Sequence, residues 1–177
     1  MAGMPADNVI LVGFMGVGKS TGGRLLARRL GRCFVETDDM IVARDGRPIP
    51  EIFRQDGEEA FRRLEGEAVE ALGLKSGEVI ATGGGLPCRE GRMDALRALG
   101  TVVWLRGTLA ELVARAGRTG GRPMLAGRSP EDLERLYRAR EPYYAQAHLT
   151  VDTTGLGLDQ VVARVLAALR ETHAARA

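Results

Sequence analysis

The sequence predicts an α/β domain of three layers, a five-stranded parallel sheet with helices on both faces. Three observations predict it. Short apolar runs alternate along the chain with longer segments of helical periodicity, the order that gives a parallel sheet. The first run, Val9–Val12, is rich in β-branched residues and suits a strand buried on both faces. It leads through Gly13-Phe14-Met15-Gly16-Val17-Gly18-Lys19-Ser20 into an amphipathic segment. Strand, glycine loop and helix form the context in which GxxxxGK[ST] marks a phosphate-binding P-loop.

The elements follow in order. Met1–Asn8 reads as a frayed start, and the helix Lys19–Leu30 stops at Gly31. Arg32–Thr37 is a second strand, with Cys33 packed inside it, and it ends in the acidic run Glu36-Thr37-Asp38-Asp39. A short helix near Asp39–Arg44 reaches the turn Gly46-Arg47-Pro48. Ile49–Gly57 precedes Glu58–Lys75, where Ala60, Phe61, Leu64, Ala68, Val69 and Leu72 recur at helical spacing. Glu78–Thr82 is the third strand and runs into Gly83-Gly84-Gly85. Arg89–Leu99 is a helix closed by Gly100, Thr101–Leu105 the fourth strand, and Thr108–Ala116 helical. Gly117–Ser129 carries four glycines, three arginines and a proline, the composition of a mobile loop. Ser129 can cap a helix that has Pro130 in its first turn and runs to about Gln146. His148–Asp152 is the fifth strand and Leu158–Glu171 the last helix.

Bulk properties narrow the function. At 177 residues the chain 1–177 is one domain, since domains run to roughly 100–200 residues. Its 45% hydrophobic content supports a core, and a net charge of +2 gives no bulk attraction to nucleic acid or membrane. Cys33 and Cys88 make neither a disulfide framework nor a metal cluster. No signal peptide or spanning segment is evident, so the expected location is cytoplasmic.

The residue types of the loop follow from its chemistry. Glycines let the backbone wrap a phosphate, with N–H groups and a helix N-terminus facing the anion. Lys19 would reach the β- and γ-phosphates of ATP, and the Ser20 hydroxyl would ligate Mg²⁺. Ligands of parallel sheets bind beyond the carboxyl ends of the strands. That rule gathers the P-loop, Glu36–Asp38, Gly83–Gly85 and the start of the arginine-rich loop into one crevice. Strands three and four carry no terminal Asp, and no Asn-Lys-x-Asp occurs, which argues against a GTP switch or motor.

Nearly the whole chain resembles the shikimate kinase family, in the nucleoside-monophosphate-kinase-like branch of P-loop proteins. The resemblance rests on an ordered set: Gly13–Ser20 with Thr21, Glu36-Thr37-Asp38, Ile52-Phe53, Gly57-Glu58, Phe61-Arg62-Arg63-Leu64-Glu65, Thr82-Gly83-Gly84-Gly85, Arg122-Pro123-Met124-Leu125 and Arg140-Glu141-Pro142-Tyr143-Tyr144. It implies a three-layer P-loop fold with a helical substrate-binding lobe at about 38–68 and a mobile lid at about 117–129. It also implies a monomeric enzyme of aromatic amino-acid biosynthesis that moves the γ-phosphoryl group of ATP to the 3-hydroxyl of shikimate, with Mg²⁺. By the resemblance, Gly16, Val17, Gly18, Lys19, Ser20, Thr21, Arg115 and Arg122 bind nucleotide. Asp38, Arg62, Gly83, Gly84, Gly85 and Arg140 bind shikimate, and Lys19, Asp38 and Arg122 are catalytic. Ser20 and, through water, Glu36 attend the metal.

Residue chemistry agrees. A hydroxyl nucleophile needs a proton acceptor such as Asp38, and a carboxylate substrate is held best by planar guanidinium forks. Glu36 departs from the family's usual aspartate by one methylene and keeps the charge. In an extended segment it would share one side with Asp38. The loop Asp152-Thr153-Thr154-Gly155 matches only loosely. Plainer roles are a solvated helix face for Arg62, a local pair with Glu141 or a neighbouring acid for Arg140, a solvated position or a helix cap for Asp39, an ordinary turn for Gly83–Gly85, and structural or exposed positions for His148 and His173. The competing functions are a kinase of gluconate or another hydroxy acid, and a catalytically idle nucleotide-binding module.

Overall fold

A computed structural model describes residues 7–118 and 127–175. Five strands, β1 (Asn8–Val12), β2 (Phe34–Glu36), β3 (Val79–Ala81), β4 (Gly100–Arg106) and β5 (Leu149–Asp152), form a parallel sheet in the order β2-β3-β1-β4-β5. The described residues also form seven helices: α1 (Lys19–Leu30), α2 (Thr37–Asp45), α3 (Ile49–Leu72), α4 (Arg92–Leu99), α5 (Leu109–Arg118), α6 (Pro130–Tyr144) and, after the last strand, α7 (Leu158–Ala174). The crossover from β1 to β2 runs one way along the sheet, and those from β2 to β3 and β3 to β4 run the other. Right-handed connections therefore set α1 against one face and α3 and α4 against the opposite face.

β1 lies in the middle, and every one of its residues is buried. Its apolar run is thus explained by cover on both faces. Asn8 fixes its start: Nδ2 donates to the carbonyls of Lys75 at 3.0 Å and Leu99 at 3.2 Å, and Oδ1 accepts from the Glu78 N–H at 3.0 Å. Around β1 a core gathers Ile10, Leu11, Leu26, Ile80, Leu96, Val103 and Tyr144. A second, smaller cluster joins Ile41, Ile52, Phe61 and Ala68 from α2 and α3. The helical stretch 49–72 is broken at Gly57, whose φ of 82° and ψ of 178° only glycine adopts readily. Ser129 caps α6 in a reciprocal box with Asp132.

Some boundaries differ from the sequence reading. β2 pairs on one side only, with β3, and lasts just as long as that pairing. Cys33 lies outside it with an exposed side chain, so it is not buried packing; its carbonyl still accepts from the Val79 N–H at 2.9 Å. The chain becomes helical at Thr37, not near Asp39, which puts Asp38 and Asp39 in the first turn of α2. There their charge complements the helix dipole. Glu36 and Asp38 consequently do not share one side of an extended segment. α4 starts at Arg92, not Arg89. The His148 Nδ1 accepts from the Val102 N–H at 3.0 Å, a structural role. Arg122, with 119–126 around it, and residues 1–6 lie outside the described residues, as does the side chain of His173.

Candidate active site

The phosphate loop turns between β1 and α1. Gly16 has φ 81°, and a methyl group placed on it would lie 2.2 Å from the Leu112 carbonyl oxygen of α5. No other residue fits there, so the loop and α5 touch backbone to backbone. Arg115, half-buried on α5, sits one turn beyond that contact. Lys19 is buried, and its Nζ donates to the carbonyls of Gly13 at 2.6 Å and Phe14 at 3.2 Å. The ammonium is held over the loop's own backbone. Ser20 is half-buried and Thr21 exposed, both in the first turn of α1.

The Ser20 hydroxyl donates directly to Glu36 Oε1, and Arg24 lies 3.4 Å from Glu36 Oε2. A hydroxyl and a carboxylate oxygen thus converge at the N-terminus of α1. Hard oxygen donors of this kind suit Mg²⁺, which takes few protein ligands beside phosphate and water. Among the described residues no group of three or more His, Cys, Asp and Glu could hold a metal by itself.

The glycine run after β3 forms a second wall. A methyl group on Gly84 would lie 3.5 Å from the Gly13 carbonyl oxygen and 3.7 Å from the Met15 nitrogen, so the run abuts the phosphate loop. On Gly83 it would lie 2.8 Å from Asp38 Oδ1. On Gly85 it would lie 2.8 Å from Arg62 Nη1 and 3.1 Å from Arg140 Nη2. Two guanidinium groups and one carboxylate, from α2, α3 and α6, therefore meet three consecutive residues without side chains.

Local structure aims each of them. Arg62 is held by i,i+3 and i,i+4 partners on its own helix. Its Nη1 donates to both Glu65 oxygens at 3.0 and 2.9 Å, and its Nε and Nη2 face Glu58 Oε1 at 3.3 and 3.0 Å. Burial alone would lower the Arg62 pKa; the bonds to Glu65 and Glu58 outweigh it and hold the guanidinium above its ordinary value. Burial pushes the Glu65 carboxyl up, Arg62 pulls it back, and the Asp38 charge adds to the rise. The Arg62 side chain is 12% exposed, which removes the solvated-face reading.

Arg140 is buried and lies 5.7 Å from the ring centroid of Phe14, the loop residue that also meets Tyr137 edge-on at 5.3 Å. Glu141 pairs with Arg106 at 3.8 Å, so a local pair with Arg140 is not what forms. Below the run, fully buried Tyr144 donates its hydroxyl to the Gly84 carbonyl at 2.6 Å. Burial raises its pKa far out of range, so the phenol stays a donor. Glu65 and Tyr144 close two of the sequence motifs but were given no role from the sequence. Their signal was spacing: Glu65 lies three residues after Arg62, and Tyr144 four after Arg140.

Comparison with known proteins gives a consistent result. The family model described as shikimate kinase matches residues 15–170. The shikimate kinase of Geobacter sulfurreducens is 46% identical over 171 residues, covering 95% of this chain and 94% of that one. That of Moorella thermoacetica is 45% identical over 163 residues, covering 92% and 94%. Among solved structures, shikimate kinase from Acinetobacter baumannii in complex with shikimate superposes with a TM-score of 0.90 at 34% identity, over 97% of each chain.

Proposed function

This chain belongs to the shikimate kinase family, and we propose that Asp38, Arg62, Gly83–Gly85 and Arg140 seat its acceptor while Gly16–Thr21 hold its nucleotide. It is an ATP-dependent kinase that phosphorylates shikimate, giving shikimate 3-phosphate and ADP in aromatic amino-acid biosynthesis. One observation carries the site assignment. Both guanidinium groups approach Gly85, Asp38 approaches Gly83, and the phosphate loop approaches Gly84. Acceptor and donor subsites thereby share a wall three residues long.

The roles follow from the chemistry. Arg62 and Arg140 bind the acid's carboxylate, Glu65 holding Arg62 in place. Asp38 takes the proton of the attacking hydroxyl, and Lys19 leaves the Gly13 and Phe14 carbonyls for the β- and γ-phosphates. Mg²⁺, when bound, neutralises charge on the phosphate oxygens. Ser20 and Glu36 would hold it, Glu36 through water once its direct bond to Ser20 is given up. Arg115 is assigned to the adenine and Arg122 to the transferred phosphoryl group, on the resemblance. Residues 38–68 are the acceptor lobe, supported by their separate apolar cluster, and 117–129 the lid of a single kinase domain. The enzyme is taken to act as a cytoplasmic monomer on shikimate and ATP alone.

The test is coupled ADP release against a panel of hydroxy acids that includes gluconate. Release that depends on shikimate, and on no other acid, is expected; none with shikimate removes the reading. Arg140→Met should raise the KM for shikimate about 10²-fold, the loss of a bidentate charged contact worth roughly 1.5–3 kcal/mol, with the KM for ATP little changed. A comparable rise in both constants would detach Arg140 from the acceptor.

A further inference from the structure

The protein itself engages every carbonyl of the glycine run. Gly83 O accepts from the Leu86 N–H and Gly85 O from the Cys88 N–H, each at 3.1 Å. Gly84 O accepts from Tyr144, and the Cys88 thiol, a weak donor, stands 3.7 Å from the same oxygen. The Gly83 N–H is taken by Thr37 Oγ1 at 3.0 Å. For the N–H groups of Gly84 and Gly85 no acceptor occurs among the described residues. The run therefore has two N–H groups still to be paired, while each of its carbonyls already accepts at least one hydrogen bond.

The Gly84 carbonyl and the Gly85 N–H belong to one planar trans peptide and point in opposite directions. Drawing the carbonyl down to a phenol in the core aims the N–H the opposite way, on the residue whose added methyl group would meet the guanidinium groups of Arg62 and Arg140. Glycine resists rotation of this peptide less than any other residue, so the orientation must be imposed from outside. Tyr144 lies one turn after Arg140 on α6 and imposes it from the helix that also delivers the second guanidinium.

We infer that Tyr144 is a positioning residue for the acceptor: its hydrogen bond to the Gly84 carbonyl turns the 84–85 peptide so that the Gly85 N–H donates to an oxygen of the bound hydroxy acid. This rests on the acceptor assignment above.

Tyr144→Phe keeps the ring and removes the donor. The KM for shikimate should rise about tenfold, near the worth of one net hydrogen bond. The shikimate Kd from calorimetry without nucleotide should rise equally, while the KM for ATP stays close to wild type; the melting temperature should fall by a few degrees, because the Gly84 carbonyl loses its strong donor. An unchanged KM and Kd for shikimate overturns the inference. So does a parallel rise in both KM values, which a merely structural role would give. A wild-type protein without shikimate-dependent ADP release defeats the acceptor assignment instead. A second measurement needs no variant: shikimate added to ¹⁵N-glycine-labelled wild-type protein should move the Gly85 amide proton downfield. An unmoved Gly85 amide overturns the inference even if Tyr144→Phe fails to fold.

Discussion

Lys19→Met is expected to lower kcat at least about 10³-fold, the scale for removing one group that stabilises charge in the transition state. Phosphoryl transfer leaves the protein little covalent work, so a charge held at the β- and γ-phosphates carries much of the catalysis. The ammonium bonds to Gly13 O and Phe14 O, both inside the loop. On the proposed reading lysine is already in place, and ATP would exchange its carbonyl partners for phosphate ones. The same contacts imply a second effect. Methionine leaves the buried Gly13 carbonyl without that donor, Phe14 O keeping the Val17 N–H at 3.3 Å, and roughly 1–3 kcal/mol of stability should be lost. Circular dichroism should still show the native fold, and the melting temperature should fall by a few degrees. Turnover within tenfold of wild type would exclude Lys19 from the transition state.

Asp38→Asn is expected to lower kcat about 10²–10⁴-fold, the range for a positioned general base, with the KM for ATP unaltered. Asparagine keeps the shape and one acceptor oxygen but cannot take the proton. The position matters as much as the charge: Asp38 Oδ1 faces Gly83, on the same run whose next two residues meet the phosphate loop and the guanidinium groups. An independent readout lies in Glu65, whose carboxyl the Asp38 charge helps to raise. With Asp38 neutralised, the Glu65 pKa should move back down towards the ordinary carboxylate range, measurable by side-chain NMR. Unchanged turnover would mean that the hydroxyl loses its proton elsewhere.

The elements buried on both faces of the sheet were the most legible in the sequence. β1 and α1 were predicted within a residue because an apolar run, a glycine loop and a terminal glycine each impose a local conformation there. β2 was less legible, since an edge strand has one neighbour and its length depends on where β3 stops pairing. Cys33 was misread for that reason, and so was the side shared by Glu36 and Asp38. At the site, Arg62, Arg140, Asp38 and Gly83–Gly85 were all named in advance, but through the family resemblance carried by their ordered motifs; composition alone would have left Arg62 on a solvated face and Arg140 unremarked. What holds them was given no role. The bond from Tyr144 to Gly84 spans 60 residues and depends on how α6 settles beneath the run, which no local pattern encodes.

The central place of β1 bears on how the protein comes off the ribosome. Its N-terminal strand waits for Val79–Ala81 on one edge and Gly100–Arg106 on the other, both far along the chain. Contacts so distant in sequence form slowly and late. The Gly13–Ser20 motif is translated before both of those strands, so a nascent chain that has not reached β4 carries the whole of it without the sheet that positions it.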